Sequence, residues 1–457
     1  MHKKKAVFDA KNYRGLHITP QLSKVVERLL GVPLLAFLEA TDAYGLNQFA
    51  YRKQRGCKDA LLLNVLEWLW AFHHDEIIAL YCSDVSGAFD RVKSTKLLSK
   101  LERKGVPPPM LKLLESWFDD RIANVVVEGC QSSPATINNM VYQGTVWGPP
   151  LWNAFFADSK GAVEKAGFSD LLFADDLNCY KKFKKHTSRA DIYDALNKCQ
   201  KYLHDWGDGN QVAFDPAKES FHLLHKLLPE GDPFKILGVN FDLKLSMDDE
   251  CFNIKSQCHW KLGILYRTQK YHSVETLITL YKSHILSFIE FRTPAIYHAC
   301  NTILDKVDGI QRSFLRGIGV SEESSLIDYN LAPLWSRRDM AMLGVIHRTI
   351  LGGGPPHTRK WFYLVDPKRC VIRHTANKHS KQIFDYRDGT HTEVLRRSIL
   401  GLCRVYNNLP QYIVDSKTVS DFQRHLQKMM IEKLKLGDQN WSNIYSPRGE
   451  LFQRWPR

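Results

Sequence analysis

Three carboxylates in two separate apolar runs are the residues of this sequence best suited to chemistry. Asp84 ends the run 77–84, and Asp175 with Asp176 interrupts the run 170–180. Acids within an apolar run are costly to bury unless they lie at a turn or bind a cation. Hard cations such as Mg²⁺ take carboxylate oxygens as ligands. The pattern therefore predicts either a polar hairpin tip or a metal site where acids from two strands converge.

The elements that must position these acids are short. Both runs are rich in large apolar residues, which is typical of strands, and the second is expected to be a hairpin that turns at its acids. Between the runs, Gln143 and Gly144 begin a glycine-punctuated turn that leads into the apolar segment 151–156. Segments 124–129 and 136–141 alternate like a hairpin that leads into this turn. The order is thus a strand with Asp, a turn with a helix, and a hairpin with two acids.

This order resembles the palm of a reverse transcriptase, and the best match is to the polymerases of non-LTR retrotransposons, the long interspersed elements. The resemblance implies a right-hand polymerase of α+β class, whose fingers and palm combine an antiparallel sheet with helices and whose thumb and C-terminal region are helical. The implied domains are fingers over 1–75, a palm with the catalytic domain over 76–245, a thumb-like region over 246–350, and a C-terminal region of unknown role over 351–457.

The resemblance assigns the chemistry of an RNA-directed DNA polymerase. A primer 3′-hydroxyl attacks an α-phosphorus in line, and two Mg²⁺ ions about 4 Å apart stabilise the charge that builds up. Asp84, Asp175 and Asp176 are assigned to these ions, with Mn²⁺ as an alternative, and Val85 is assigned to both the metal and the nucleotide sites. Without metal the acids repel one another, so at least one should have a raised pKa. Lys218 resembles the acid that protonates the leaving pyrophosphate, although a lysine there could also face solvent.

Further residues are assigned to the incoming nucleotide. Lys4, Lys5 and Arg14 resemble the basic residues of the family's first block, which grip the triphosphate. A solvated basic terminus is the other interpretation of the two lysines. By the same resemblance, Gln143 and Gly144 pass backbone and amide groups under the templating pair.

Phe89 distinguishes classes of polymerase. RNA-templated RNA polymerases resemble this palm but commonly carry an acid five residues after the aspartate that corresponds to Asp84, where it accepts from the ribose 2′-hydroxyl. A phenyl ring offers no acceptor and occupies the space of a 2′-oxygen. The residue therefore favours deoxynucleotides, and a plain core aromatic is the alternative.

Two segments are expected to contact nucleic acid. Arg52, Lys53 and Arg55 lie in a loop that mixes aromatic and basic residues, which suits a template strand held by stacking and phosphate pairing. A solvated loop is the competing interpretation. Leu237 and Gly238 resemble the primer-grip block, in which they would form the turn of a small hairpin.

Composition limits the class of protein. The 457 residues carry a formal charge of +14, which favours a polyanionic partner. Hydrophobic residues at 44% and aromatic residues at 11% fit a globular chain. We find no apolar run of about eighteen residues or more and no apolar signal core at the N-terminus. The ten cysteines are scattered, which is typical of reduced thiols. An intracellular location, nuclear or cytoplasmic, without membrane contact is therefore expected.

The expected partners are an RNA template, a DNA primer and deoxynucleoside triphosphates. No endonuclease is expected within the chain, because few residues precede Tyr13 and no His/Cys cluster follows the polymerase segment. Two alternatives stay open. One is an inactive element remnant or host-retained copy that only binds nucleic acid, and the other is a maturase-like protein that holds structured RNA.

Overall fold

The structure is a computed structural model that describes residues 17–137, 140–365, 379–386 and 393–448. Contacts divide the chain into two compact units. The first is Met1–Gly56 with Ala79–Phe221, and the second is Cys57–Ile78 with His222–Arg457. The division into fingers, palm, thumb and C-terminal region stays a prediction.

Helices predominate in the described residues. In chain order they are α1 (Gln21–Ala40), α2 (Cys57–His73), α3 (Ser94–Arg103), α4 (Pro108–Phe118), α5 (Gly148–Phe156), α6 (Lys160–Lys165), α7 (Arg189–Asn210), α8 (Asp248–Thr268), α9 (Val274–Tyr281), α10 (Ser287–Ile296), α11 (Asn301–Gly317), α12 (Glu322–Tyr329), α13 (Leu334–Ile350), α14 (Glu393–Arg397), α15 (Leu402–Asn407), α16 (Gln411–Val414) and α17 (Val419–Lys435). None of these described helices is long and apolar enough to cross a membrane.

Strands are few and mostly short. They are β1 (Glu76–Asp84), β2 (Ile122–Ala123), β3 (Val126–Val127), β4 (Cys130–Gln131), β5 (Ala135–Thr136), β6 (Ser169–Phe173), β7 (Asp176–Lys184), β8 (Ser220–Leu224), β9 (Phe234–Ile236) and β10 (Val239–Phe241). The combination of many helices with small sheets confirms the predicted α+β class.

The main sheet has the strand order β6-β7-β1-β8. All residues of β1 between its two ends are buried, which explains why this strand is a continuous apolar run instead of an alternating one. Strands β6 and β7 pair antiparallel, with Phe173 opposite Asp176. The acidic residues therefore lie where a buried strand ends and where a hairpin turns.

A helix of the first unit shows how the sequence covers its core. The Ser188 hydroxyl caps α7 by accepting from the Asp191 amide at 3.1 Å. Along α7, the buried residues Ile192, Leu196 and Leu203 recur at helical spacing and form one apolar stripe, as expected for an amphipathic helix. Helix α7 contacts its neighbour α6.

In the second unit, the small hairpin β9–β10 packs on α2. Trp68 of α2 meets the rings of Phe234 and Phe241 edge-on, at 5.9 and 5.4 Å between centroids. Leu237 and Gly238 form the two-residue turn, and both have positive φ, 49° and 80°. Two positive φ angles are the signature of a tight hairpin turn. The predicted Leu-Gly hairpin is thus present.

The structure differs from the predicted hairpin of 124–129 with 136–141. Instead, β2 pairs with β5 and β3 pairs with β4, in ladders of two residues each. Glu128 and Gly129, with φ of 50° and 84°, form the tight turn between β3 and β4. This local turn closes the hairpin early, and Thr136, in the described part of the later segment, pairs with Ile122, outside 124–129.

Candidate active site

Asp175 and Asp176 lie at the tip of the β6–β7 hairpin. Phe173 pairs with Asp176, so Ala174 and Asp175 alone form the turn. Strand β7 neighbours β1 in the sheet, and the charge of Asp84, at the end of β1, acts on Asp176 at the start of β7. The hairpin predicted from the sequence is confirmed, and its turn falls at the acids.

The three carboxylates act on one another electrostatically. Burial raises the pKa of Asp176 to about 6, and the neighbouring charges of Asp175 and Asp84 add to the rise, while Lys218 opposes it. A carboxyl group responds in this way only to charges that are close by. The structure thus brings together the three acids predicted from the sequence, and one of them has the raised pKa expected of a metal-free cluster.

Lys218 is the cation of this cluster. Its ammonium donates a hydrogen bond to the Asp84 carboxylate, and this bond raises the pKa of Lys218. The lysine follows a segment that runs beside the end of β1, where the Asp215 amide donates to the Asp84 carbonyl at 3.0 Å and the Ser86 amide donates to the Ala213 carbonyl at 2.9 Å. Backbone pairing therefore fixes the lysine loop next to the acids.

Val85 and Glu219 help to support the segments that carry Asp84 and Lys218. Val85 is buried and forms an antiparallel bridge with Phe214. The Glu219 carboxylate, directly after Lys218, accepts from the Tyr81 hydroxyl and lies 2.8 Å from His204 Nε2. Sequence reasoning missed Glu219. The available signal was an acid at the start of an apolar strand.

Phe89 is half-buried and lies against α5. Its ring stacks on the Trp152 indole, with 6.0 Å between centroids and 26° between planes. The Trp152 indole N–H donates to the Ala174 carbonyl at 3.1 Å, so one tryptophan contacts both Phe89 and the acidic turn. The role of Phe89 in sugar choice stays a prediction, and the ring is placed by a residue that also holds the hairpin.

The turn at Gln143 and Gly144 is tightly constrained. Gly144 has φ of 81°, and a Cβ there would lie 2.7 Å from the His17 carbonyl oxygen, so only glycine fits. Glu27 of α1, buried among apolar residues, accepts from the Val146 amide at 2.6 Å. Glu27 was not predicted as a site residue. Gln143 itself is half-buried, and its nucleotide role stays a prediction.

The contacts of Arg52 differ from the template contact expected for it. Its guanidinium pairs with Glu39 at 2.7 Å and Asp42 at 3.3 Å, and it also donates to the Gly45 carbonyl. Only 2% of the side chain is exposed. The predicted contact with a template phosphate is wrong for this residue, because its charge is already neutralised inside the first unit.

The other predicted nucleic-acid contacts differ in exposure. Lys53 is exposed, whereas Arg55 is half-buried and donates to the Leu46 and Gln48 carbonyls. Gly238 is exposed at the tip of its hairpin. The nucleic-acid roles of these residues and of Leu237 stay predictions, as do the roles of Lys4, Lys5 and Arg14, which lie outside the described residues.

The acid cluster offers ligand atoms for a divalent cation. Within the described ranges, no three His, Cys, Asp or Glu side chains already form a metal-binding group. The donor set nevertheless suits a hard cation, since Asp84, Asp175 and Asp176 supply only carboxylate oxygens. The Lys218 ammonium, which donates to the Asp84 carboxylate, supplies positive charge at this acid. The cluster thus fits a divalent cation by its chemistry.

Sequence comparisons with known proteins all find RNA-directed DNA polymerases. The sequence model of the family described as "Reverse transcriptase (RNA-dependent DNA polymerase)" matches residues 1–241. The "RNA-directed DNA polymerase from mobile element jockey" of Drosophila melanogaster is 27% identical over 334 residues, which are 68% of this chain and 36% of that protein. The "Probable RNA-directed DNA polymerase from transposon BS" of the same fly is 31% identical over 277 residues, 55% of this chain and 30% of that protein. The chain spans about a third of the length of these relatives.

Solved structures include distant neighbours. A telomerase from Candida albicans in complex with a fragment of telomeric RNA is 11% identical, with a TM-score of 0.38, over 67% of this chain and 56% of that one. An apo telomerase from Candida tropicalis is 12% identical, with a TM-score of 0.37, over 71% of this chain and 54% of that one. The family assignment rests on the match over 1–241 and not on these structures.

Proposed function

Because the chain belongs to the reverse transcriptase family, we propose that it is the polymerase unit of a non-LTR retrotransposon and acts as an RNA-directed DNA polymerase. One observation carries the proposal. Asp84 ends one strand, Asp175 and Asp176 lie at the turn of the neighbouring hairpin, and burial together with the charges of Asp175 and Asp84 raises the pKa of Asp176. A cluster of acids that repel one another is disfavoured unless it serves to bind a cation.

The three acids would hold two Mg²⁺ ions, or Mn²⁺ in their place. When bound, the ions stabilise negative charge on the attacking and leaving oxygens of an in-line displacement. Asp84 contributes from the end of a buried strand, and Asp175 and Asp176 contribute from the hairpin turn. The acids themselves need no proton transfer for this task, so they should act as carboxylates.

Lys218 has a second task in this proposal. Its ammonium lies at the acids and, with its pKa raised by Asp84, is fully protonated at neutral pH. It can therefore leave Asp84 when a cation enters and donate a proton to the leaving pyrophosphate. Proton donation by a positioned side chain contributes about 10²–10⁴-fold to rate.

The substrates follow from the same resemblance. Phe89 favours deoxynucleotides, the template is RNA, and the primer is a DNA 3′-end. A nuclear or cytoplasmic site of action goes with these partners. The charge of +14 favours both nucleic acids. A chain that only binds nucleic acid has no use for the acid cluster, so we do not favour that alternative.

Primer extension tests the proposal. The purified chain is given a poly-A RNA template, an oligo-dT primer, dTTP and Mg²⁺, and product length is measured. Asp84→Asn and Asp175→Asn should each reduce extension by orders of magnitude, because they remove a ligand charge without changing shape. Template–primer affinity should be kept, which separates the loss from misfolding.

Asp90→Asn is the matched control. Asp90 lies six residues after Asp84 and is exposed, and nothing assigns it to the metal site. Its variant should extend the primer like the parent. Equal extension by Asp84→Asn and Asp90→Asn would refute the assignment, and extension that persists in EDTA would refute metal dependence.

A further inference from the structure

A buried glutamine far from the acids in sequence holds the turn that carries them. We propose that Gln48 is a positioning residue for catalysis, which fixes the backbone of Ala174 and thereby aims Asp175 and Asp176. The inference rests on the proposed polymerase function for its catalytic consequence. Its structural part stands on the contacts of the first unit alone.

The Gln48 amide binds the backbone of one turn residue, Ala174, on both sides of its Cα. Its Oε1 accepts from the Ala174 N–H at 2.9 Å, and its Nε2 donates to the Ala174 carbonyl at 3.2 Å. The residue is 1% exposed, so water does not compete for these bonds. The same Oε1 accepts from the Ala50 N–H at 3.0 Å, which fixes the amide plane.

The turn needs such support because of its sequence. Ala174 has φ of 59°. Alanine disfavours this region of φ, and hairpin turns with a positive φ at their first central position usually have glycine there. Ala174 is also buried, so water cannot compensate the strained peptide. The two bonds from Gln48, together with the one from Trp152, stabilise a conformation that the residue itself resists.

The position of Gln48 is set by backbone pairing. The Leu172 amide donates to the Asn47 carbonyl and the Phe49 amide donates to the Leu172 carbonyl, both at 2.9 Å, so Gln48 forms a parallel bridge with Leu172 of β6. The Asn153 side chain donates to the Ala50 carbonyl from α5 at 2.9 Å. Backbone pairing on both sides therefore fixes Gln48, so its side chain can hold the turn in one conformation.

The consequence for catalysis is geometric. Asp175 follows Ala174 directly, and Asp176 is the next residue. If the backbone of Ala174 changes its φ and ψ angles, both carboxylates move relative to Asp84. A misplacement of about 1 Å at a reacting centre can cost on the order of 10²-fold in rate. Loss of Gln48 should therefore lower kcat, whereas KM for the nucleotide should change little, because the buried Gln48 side chain has no surface with which to contact a nucleotide.

Gln48→Met tests the inference, since methionine keeps the volume and removes both bonds to Ala174 together with the one from the Ala50 N–H. We expect kcat for primer extension to fall about 10-fold or more and KM for dTTP to stay within about 3-fold of the parent. Amide hydrogen exchange of the peptide that spans 170–180 should become faster. Adding Ala174→Gly should recover part of kcat, because glycine adopts positive φ without the glutamine.

Gln311→Met is the matched control for lost stability. Gln311 is equally buried, in α11 of the second unit, and donates to the Ala332 carbonyl at 2.9 Å. This variant should lower the unfolding midpoint without changing exchange in 170–180 or kcat per folded molecule. If Gln48→Met does not fold, Gln48→Asn replaces it, because asparagine keeps the polar amide but is one methylene shorter and cannot make both bonds to Ala174 from the same position, and the same two measurements apply.

The outcomes separate the inference from the proposed function. A parent chain that does not extend primers refutes the polymerase proposal, and hydrogen exchange in 170–180 then decides whether Gln48 holds the turn. An active parent with a folded Gln48→Met variant of unchanged kcat overturns the positioning role alone. Equal losses of kcat in Gln48→Met and Gln311→Met would also overturn it, since general stability would then explain both.

Discussion

The Lys218 ammonium donates a hydrogen bond to the Asp84 carboxylate across 134 residues of sequence. Two other sets of contacts surround this hydrogen bond. The Asp215 backbone pairs with Asp84, and Glu219 is held by Tyr81 and His204. A cation that binds Asp84 must therefore displace the ammonium from it. The lysine is thus placed to compete with metal before the reaction and to donate a proton during it.

Lys218→Gln should separate these two roles. Without the ammonium, Mg²⁺ has no competitor at Asp84, so the Mg²⁺ concentration for half-maximal extension should fall. At saturating Mg²⁺, kcat should fall by about 10²-fold or more, because the leaving pyrophosphate loses its proton donor. Titration of Mg²⁺ in steady-state extension measures both quantities. Lys201→Gln, in the exposed part of α7, is the control that should change neither. A parental kcat in Lys218→Gln would remove the proton-donor role.

Phe89→Val should weaken discrimination against ribonucleotides. The ring is half-buried against Trp152, and truncation opens space next to the predicted 2′ position. The ratio of kcat/KM for dTTP to that for UTP should fall by about 10-fold or more. Phe183→Val removes a half-buried ring from β7 and serves as the control for packing loss. If both variants keep the parental ratio, Phe89 is only a core aromatic.

Local patterns predicted much of the site. The strand that ends at Asp84, the hairpin at Asp175 and Asp176, and the tight turn at Leu237 and Gly238 depend on neighbours in sequence, and all are present. Strand and turn preferences act over a few residues, so a single sequence contains them. The family resemblance then gave the acids their common role.

Contacts between distant segments could not be predicted from spacing. Arg52 was expected at a phosphate, but its partners Glu39 and Asp42 come from the end of α1 and the turn after it. Gln48 meets Ala174 over 126 residues. In both cases the side chain suits several partners, and the packing of elements decides which one it finds.

In the basic loop after Gln48, we expect Arg52 to stabilise the fold and Lys53 to bind nucleic acid. Arg52→Met should lower the free energy of unfolding by about 1–3 kcal/mol, because it leaves charged hydrogen-bond acceptors unpaired. Lys53→Met, a change of the same charge at an exposed position, should leave the unfolding midpoint unchanged. It should instead reduce the slope of log affinity for template–primer against log salt by about 0.7–0.9, the share of one phosphate. The reverse assignment of the two effects would restore Arg52 as a template contact.

The raised pKa of Asp176 predicts how stability depends on pH without metal. Its pKa is about 6 in the folded chain, above its ordinary value, so the folded state binds the proton more tightly than the unfolded state does. Stability from this group is therefore fully present at low pH and is lost as pH rises through about 6. Asp176→Asn stays neutral at every pH, so in EDTA it should be more stable than the parent at pH 8.

The advantage of Asp176→Asn should shrink as pH falls below about 6 and vanish near pH 4, where the parent carboxyl is protonated in both states. Urea midpoints at pH 4.5, 6 and 8 measure this difference. Asp90→Asn, at an exposed position, should show no such trend. Mg²⁺ competes with the same proton, so added Mg²⁺ should raise the parent midpoint at pH 8 more than at pH 4.5, and should do little for Asp176→Asn. A gap between the two proteins that is constant over pH would mean that Asp176 is not held in a repulsive, buried cluster.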